Sequence, residues 1–129
     1  MAETGTLYIC ATPVGNLDDM TPRAAAMLAQ ATVIAAEDTR RTAGLLHYLG
    51  IKKPLVSYHE HNKAARGPEL IARLLAGETV VLVSDAGFPG LADPGEDLVK
   101  LALAEAIPIV PIPGANAALC ALVASGLPA

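Results

Sequence analysis

Aromatic side chains are nearly missing from this chain, which has no tryptophan, one phenylalanine and three tyrosines among 129 residues. Folds that read single-stranded nucleic acid by stacking bases on exposed rings need more of them, which argues against an RRM-like or OB-like surface. Cysteine is scarce as well. Cys10 and Cys120 lie far apart in apolar stretches, without metal-ligand spacing. They read as small core residues in a reducing compartment, and no structural zinc or other metal is expected. No apolar run approaches the roughly 20 residues that span a bilayer, and no secretory signal opens the sequence. The expectation is a cytoplasmic protein without a membrane partner. Charged residues amount to only 17%, against 53% hydrophobic, which excludes a disordered chain. Leu, Val, Ile and Ala must fill the core, as in an α/β domain whose sheet is covered on both faces. The length fits one such domain.

The net charge of −4 argues against indiscriminate nucleic-acid binding, yet it hides an asymmetry. Arg40, Arg41, Lys52, Lys53, Lys63, Arg66 and Arg73 fall in one window with only Glu60 and Glu69 to oppose them, and His47, His59 and His61 lie there too. That window carries +5 and the remainder −9. It reads either as a set of solvated helix faces or as the surface that meets a phosphate backbone.

The stretch 80–95, VVLVSDAGFPGLADPG, organises the rest. Residues 80–83 are apolar and rich in β-branched side chains, as in a buried strand, and the run stops at Ser84 and Asp85. Gly87, Pro89, Gly90, Pro94 and Gly95 follow within nine residues, so the backbone lies open to a ligand above the strand end. Asp85 then stands where open α/β sheets place their ligands.

Four more strands are expected, at residues 6–11, 33–36, 55–57 and 107–112. Pro108 and Pro111 push the last of them toward a sheet edge. Thr21-Pro22 opens a helix that should turn Met27 and Leu28 to the sheet. Asp38 or Thr39 caps a second helix, which carries Leu45, Leu46 and Leu49 and ends at Gly50. Gly67-Pro68-Glu69 opens a third, with an apolar stripe of Leu70, Ile71, Leu74 and Leu75, and Gly77 closes it. Asp93-Pro94 opens a fourth, through Leu98, Val99, Leu101, Ala102 and Leu103. A last apolar helix is expected over 117–124.

Strand and helix thus alternate five times, which predicts a mostly parallel five-stranded sheet with helices on both faces. In a parallel sheet the turns at 13–16, 37–41, 58–62, 85–95 and 113–116 open at one rim. His59 and His61 share a face if their segment is extended, with Glu60 pointing away. As a metal pair they lack a third ligand. Asp38 serves either as a cap or as a site residue.

The stretches GTLYICATPVGNLDDMTPRA (5–24), AAEDTRRT (35–42), SYHEHN (57–62), VSDAGFPGLADPG (83–95) and PIPGANAALCALVASGLP (111–128) together resemble the tetrapyrrole methylase family of S-adenosylmethionine-dependent methyltransferases. AEDTR and YHEHN favour its branch that acts on ribosomal RNA over the corrin and sirohaem branches. Phe88 and Gly90 depart from that pattern, where a threonine-like residue and a larger aliphatic one are expected. The resemblance implies methyl transfer from S-adenosylmethionine to the ribose 2′-hydroxyl of a cytidine in the 16S rRNA of the small ribosomal subunit. It implies that the cofactor is held by Pro13, Gly15, Asp85, Ala86, Gly87, Pro113, Gly114 and Ala115, largely through backbone groups. It places Asp38, Arg40, His59, Glu60 and His61 toward the RNA. It also implies a homodimer, and a second, carboxyl-terminal domain beyond residues 1–129, so that this amino-terminal domain alone is inactive.

Overall fold

A computed structural model describes residues 3–11, 20–84 and 95–112. The order of elements is β1 (Leu7–Ala11), α1 (Pro22–Gln30), β2 (Val33–Ala36), α2 (Thr39–Leu49), β3 (Leu55–Ser57), α3 (Lys63–Leu75), β4 (Val80–Ser84), α4 (Gly95–Ala104) and β5 (Ile109–Ile112). The five strands form one sheet in the order β3-β2-β4-β1-β5, with every pairing parallel.

Alternation along each strand divides the core in two. Leu7, Ile9, Val33, Ala35, Val80 and Leu82 point to one face, where Leu70, Ile71 and Leu74 of α3 and Leu98 and Ala102 of α4 cover them. Cys10, Ile34, Ala36, Val81 and Val83 point to the other, under Ala24 and Leu28 of α1 and Leu45 and Leu46 of α2. Met27 packs beside Leu28, as the periodicity predicts. Each fully buried Val or Leu contributes about 1.5–3 kcal/mol of burial energy, so strands apolar on both faces are the natural centre of the fold. Connections running toward β3 use the α1/α2 face and the return connections use the other, as right-handed crossovers require.

Register fixes where the strands stop. Ala11 lies opposite Ser84, Cys10 opposite Ile112, and Ala36 opposite both Val83 and Ser57. All five carboxyl ends therefore finish on one rim.

Helix starts follow local chemistry, with one exception. Thr21 Oγ1 accepts the N–H of Ala24 at 3.1 Å and Pro22 occupies the first helical turn. The carboxylate of Asp38 accepts the N–H of Arg41 at 3.1 Å. The exception is α3, which begins at Lys63 rather than at Gly67, leaving Pro68 inside the helix. A proline there costs about 3 kcal/mol through its missing N–H and its ring clash. Tertiary packing offsets that cost: a Cβ at Gly67 would come within 2.9 Å of Leu101 and 3.9 Å of the Tyr58 ring. This glycine lets α3 press against α4 and Tyr58, and the apolar stripe beyond Pro68 completes the core.

The fifth strand begins at Ile109, two residues later than the sequence pattern indicates. Ile107 is buried without joining the ladder, and the Pro108 carbonyl accepts the N–H of Leu7 at 2.9 Å. The strand lies at a sheet edge, where Pro111 is tolerated. The helix expected over 117–124, the start at Asp93-Pro94, and the turns at 13–16 and 113–116 lie outside the described residues.

Candidate active site

The two described turns on the carboxyl rim follow neighbouring strands. β2 leads into Glu37 and Asp38 and then into α2 on one face of the sheet, whereas β3 leads into 58–62 and then into α3 on the other. Where adjacent connections leave to opposite faces, a crevice opens above the strand ends. Here it is a cleft of about 590 Å³ lined by Glu37, Asp38, Thr39, Arg40, Ser57, His59 and His61. Four of the five acceptor-side residues expected from sequence (Asp38, Arg40, His59 and His61) therefore meet around one opening. Glu60 does not line it. Its carboxylate is 59% exposed and pairs with Lys63 at 3.1 Å.

The two histidines share the cleft for a different reason from the one that spacing implies. The segment is a turn, not an extended strand. Asn62 Oδ1 accepts the N–H of His59 at 2.8 Å, while Asn62 Nδ2 donates to the Ser57 hydroxyl at 2.8 Å and to the Ser57 carbonyl at 3.2 Å. Backbone bonds from Asn62 and Lys63 to the His59 carbonyl close the loop. Asn62 precedes α3 as its N-cap residue, yet its side chain makes no capping bond. Its hydrogen-bonding capacity is given to the turn instead, which is the departure from local rules expected where a site is held in shape. Sequence reasoning missed Asn62 as a positioning residue, because with the helix expected to open at Gly67 it read only as the last residue of a turn.

Inside the turn, His59 Nδ1 accepts the N–H of His61 at 3.1 Å. The neutral His59 ring therefore carries its proton on Nε2, and that nitrogen is a donor. The His61 ring stands edge-on to it, centroids 5.9 Å apart, with no hydrogen-bond partner among the described residues. Asp38 has one carboxylate oxygen committed to the helix cap, so the capping and cleft-lining roles coexist. Lys63 ties the outside of the turn to α4 through Asp97. Among the described residues, no three His, Cys, Asp or Glu side chains could hold a metal ion, and no helix is long and apolar enough to cross a membrane.

Pro13, Gly15, Asp85, Ala86, Gly87, Pro113, Gly114 and Ala115 lie outside the described residues, as do Phe88 and Gly90. The strands that lead into them, β1, β4 and β5, end side by side in the centre and at one edge of the sheet. Cys10, one residue from the end of β1, faces the α1/α2 core, and burial pushes its thiol up to about 12. It is a packing residue.

The family model for Tetrapyrrole (Corrin/Porphyrin) Methylases matches residues 6–129. The chain belongs to the tetrapyrrole methylase family. Among its relatives, a protein named ribosomal RNA small subunit methyltransferase I from Halalkalibacterium halodurans is 57% identical over 98% of this chain and 44% of its own length. Proteins of the same name from Synechocystis and Bacillus subtilis are 53% and 52% identical. The chain thus spans under half the length of these curated relatives. Among solved tetrapyrrole methylases, uroporphyrin-III C-methyltransferase from Thermus thermophilus superposes with a TM-score of 0.69 at 28% identity, over 96% of this chain and 54% of that one. A second crystal structure of that enzyme, in complex with S-adenosyl homocysteine, has the same fold, with a TM-score of 0.64 at 23% identity.

Proposed function

We propose that this chain is the amino-terminal, cofactor-binding domain of an S-adenosylmethionine-dependent methyltransferase that methylates the ribose 2′-hydroxyl of a cytidine in 16S rRNA. The parent enzyme acts on the small ribosomal subunit in the cytoplasm, as a homodimer, with a second domain completing the site. The observation that carries this reading is the identity of over 50% with proteins named as small-subunit rRNA methyltransferases across nearly the whole chain. The solved neighbours support the donor, since one was crystallised with the demethylated form of that cofactor.

S-Adenosylmethionine supplies a methyl group on a positively charged sulfur, whose departure as a neutral thioether needs no acid. The protein's work is to align donor and acceptor and to draw a proton from a weakly acidic ribose hydroxyl. In this reading the turns after β1, β4 and β5 hold the cofactor, with Pro13, Gly15, Asp85, Ala86, Gly87, Pro113, Gly114 and Ala115 as its contacts. The cleft at β2 and β3 receives the nucleotide. Arg40 and the Nε2–H of His59 engage phosphate, while Asp38 and His61 stand on the side that takes the proton. Glu60 acts from outside the cleft, through Lys63.

Parent enzyme incubated with labelled S-adenosylmethionine and small ribosomal subunits should label RNA, and nuclease digestion with mass spectrometry should return 2′-O-methylcytidine. The likeness to uroporphyrin-III C-methyltransferase makes uroporphyrinogen the second acceptor to try. Label in the tetrapyrrole and none in RNA would overturn the reading. Calorimetry with residues 1–129 alone should show weak cofactor binding or none, because half the cleft is missing.

A further inference from the structure

The basic window does not act as one surface. Its cations on α3 are all neutralised: Lys63 pairs with Glu60 and Asp97, Arg66 with Glu69 at 3.1 Å, and Arg73 with Glu78 at 3.1 Å. Its cations on and just after α2 are not. Among the described residues, Arg40, Arg41, Lys52 and Lys53 have no acidic partner, and the helix TRRTAGLLHYL contains no acid. The unneutralised charge is thus gathered along one element.

That element borders a second cavity. It measures about 460 Å³ and is lined by Ala43, Leu46, His47, Ile51, Lys52, Lys53, Pro54 and Leu55. Its lining comes from the end of α2 and the start of β3, just as the candidate active site is lined by the start of α2 and the end of β3. Arg40, Ala43 and His47 are spaced i, i+3, i+7 and so form one stripe of the helix. Arg40 lines the first cavity; Ala43 and His47 line the second. The two cavities lie at the two ends of the line along which α2 runs beside the edge strand β3. At 1.5 Å per residue, the eleven residues of α2 give it a length of about 16 Å.

We infer that this line is a furrow joining the two cavities, a tracking groove for single-stranded RNA in which His47, Lys52 and Lys53 hold backbone phosphates of nucleotides neighbouring the one in the active-site cleft. Cationic side chains beside an apolar floor suit a polyanion that presents ribose and base faces between its charges. The inference rests on the proposed rRNA reading and extends it to a second contact region at the far end of α2. Lys52 and Lys53 touch no reacting atom; they are substrate-positioning residues.

The test uses the parent enzyme, a fluorescein-labelled single-stranded oligoribonucleotide, and the double variant Lys52→Gln/Lys53→Gln. Arg66→Gln, on the neutralised helix, is the control. Each phosphate contact on a single strand adds about 0.7 to the slope of log affinity against log salt, so the double variant should lose about 1.4 from that slope and about tenfold in affinity near 0.1 M salt. Arg66→Gln should match wild type. With small subunits as substrate, the double variant should raise KM about tenfold and leave kcat within twofold. A wild-type salt slope in the double variant overturns the inference, and so does an equal loss in Arg66→Gln, which would mean a diffuse charge effect. Binding of an acidic peptide in place of the oligonucleotide, sensitive to Lys52 and Lys53 while RNA binding is not, would assign the furrow to a protein partner and overturn it too. Failure of methyl transfer in wild type would instead refute the rRNA reading, and the oligonucleotide titration would still report on the furrow.

Discussion

The two rims of the sheet are built from different materials. At the amino rim, three helices end alike. Gly50, Gly77 and Ala106 take φ of 72°, 93° and 56°, and the next residue in each case donates back five positions: Ile51 to Leu46, Glu78 to Arg73 and Ile107 to Ala102. Backbone bonds knit the connections there, from Gly5 to Leu74 at 2.7 Å, from Leu7 to Pro108 at 2.9 Å, and from Thr32 to Thr79 at 2.8 Å. At the carboxyl rim, side chains join the backbone in the tying: Thr21, Asp38, Ser57, His59 and Asn62. A rim of repeated main-chain turns holds the fold, and a rim of specific polar side chains leaves groups free to face a substrate. Substitutions at the first should therefore change stability with little effect on chemistry, and those at the second the reverse.

The largest expected effect is at Gly5. A Cβ there would lie 1.7 Å from the Glu78 carbonyl oxygen, which is backbone and cannot swing aside. Gly5→Ala should cost about 3 kcal/mol or more, read by urea unfolding. A cost below about 1 kcal/mol would mean that the amino rim is less tightly knitted than its hydrogen bonds imply.

Cys10 sharpens the contrast from the carboxyl side, because it lies near that rim yet faces the core. Its thiol is raised by burial from an ordinary 9 to about 12, so the folded state favours the protonated form. The stabilisation is complete below pH 9 and is lost as pH rises from 9 toward 12, at about 1.4 kcal/mol per unit. Wild type should lose that increment relative to Cys10→Ala over this interval. Parallel pH profiles would show that the thiol is not held protonated.

Asn62→Ala removes three side-chain hydrogen bonds from the turn and should cost about 1–2 kcal/mol. Its effect on methyl transfer should exceed what that loss of folded protein explains, with cofactor affinity unchanged. The smallest expected effect is a gain: Ala106→Gly relieves a left-handed conformation at a helix end and should add about 0.5–1 kcal/mol, a rise of a few degrees in Tm, with activity intact.

How much of this was legible in the letters follows the same division. Apolar runs and periodic stripes disclosed the strands and helices, because two-sided burial needs little beyond the right residues in the right period. Gly50 and Gly77 marked their helix ends for the same local reason, whereas Ala106 takes the same conformation without the residue that announces it. Pro68 misled, because the contact that offsets it is Gly67 against Leu101, more than thirty residues away in sequence. At the site, Asp38, Arg40, His59 and His61 were legible as residues of the same rim and Glu60 as pointing away from the histidines, but its pairing with Lys63 and the part of Asn62 were not. Both depend on the shape of a turn in which Asn62 folds back on Ser57. The unpaired charge along α2 was partly legible, since Glu60, Glu69 and Glu78 lie within five residues of the α3 cations they pair with and only Asp97 comes from elsewhere in the fold.

The claim on which the account rests is that the cleft closed by His59, His61 and Asp38 receives the methyl acceptor. The most direct measurement is single-turnover methyl transfer to small ribosomal subunits by the parent enzyme carrying His59→Ala, with cofactor affinity measured on the same sample. With the nucleotide no longer held in line, the account predicts a rate lower by about a hundredfold with cofactor binding within twofold of wild type. An unchanged rate, or a loss explained entirely by weaker cofactor binding, would contradict it.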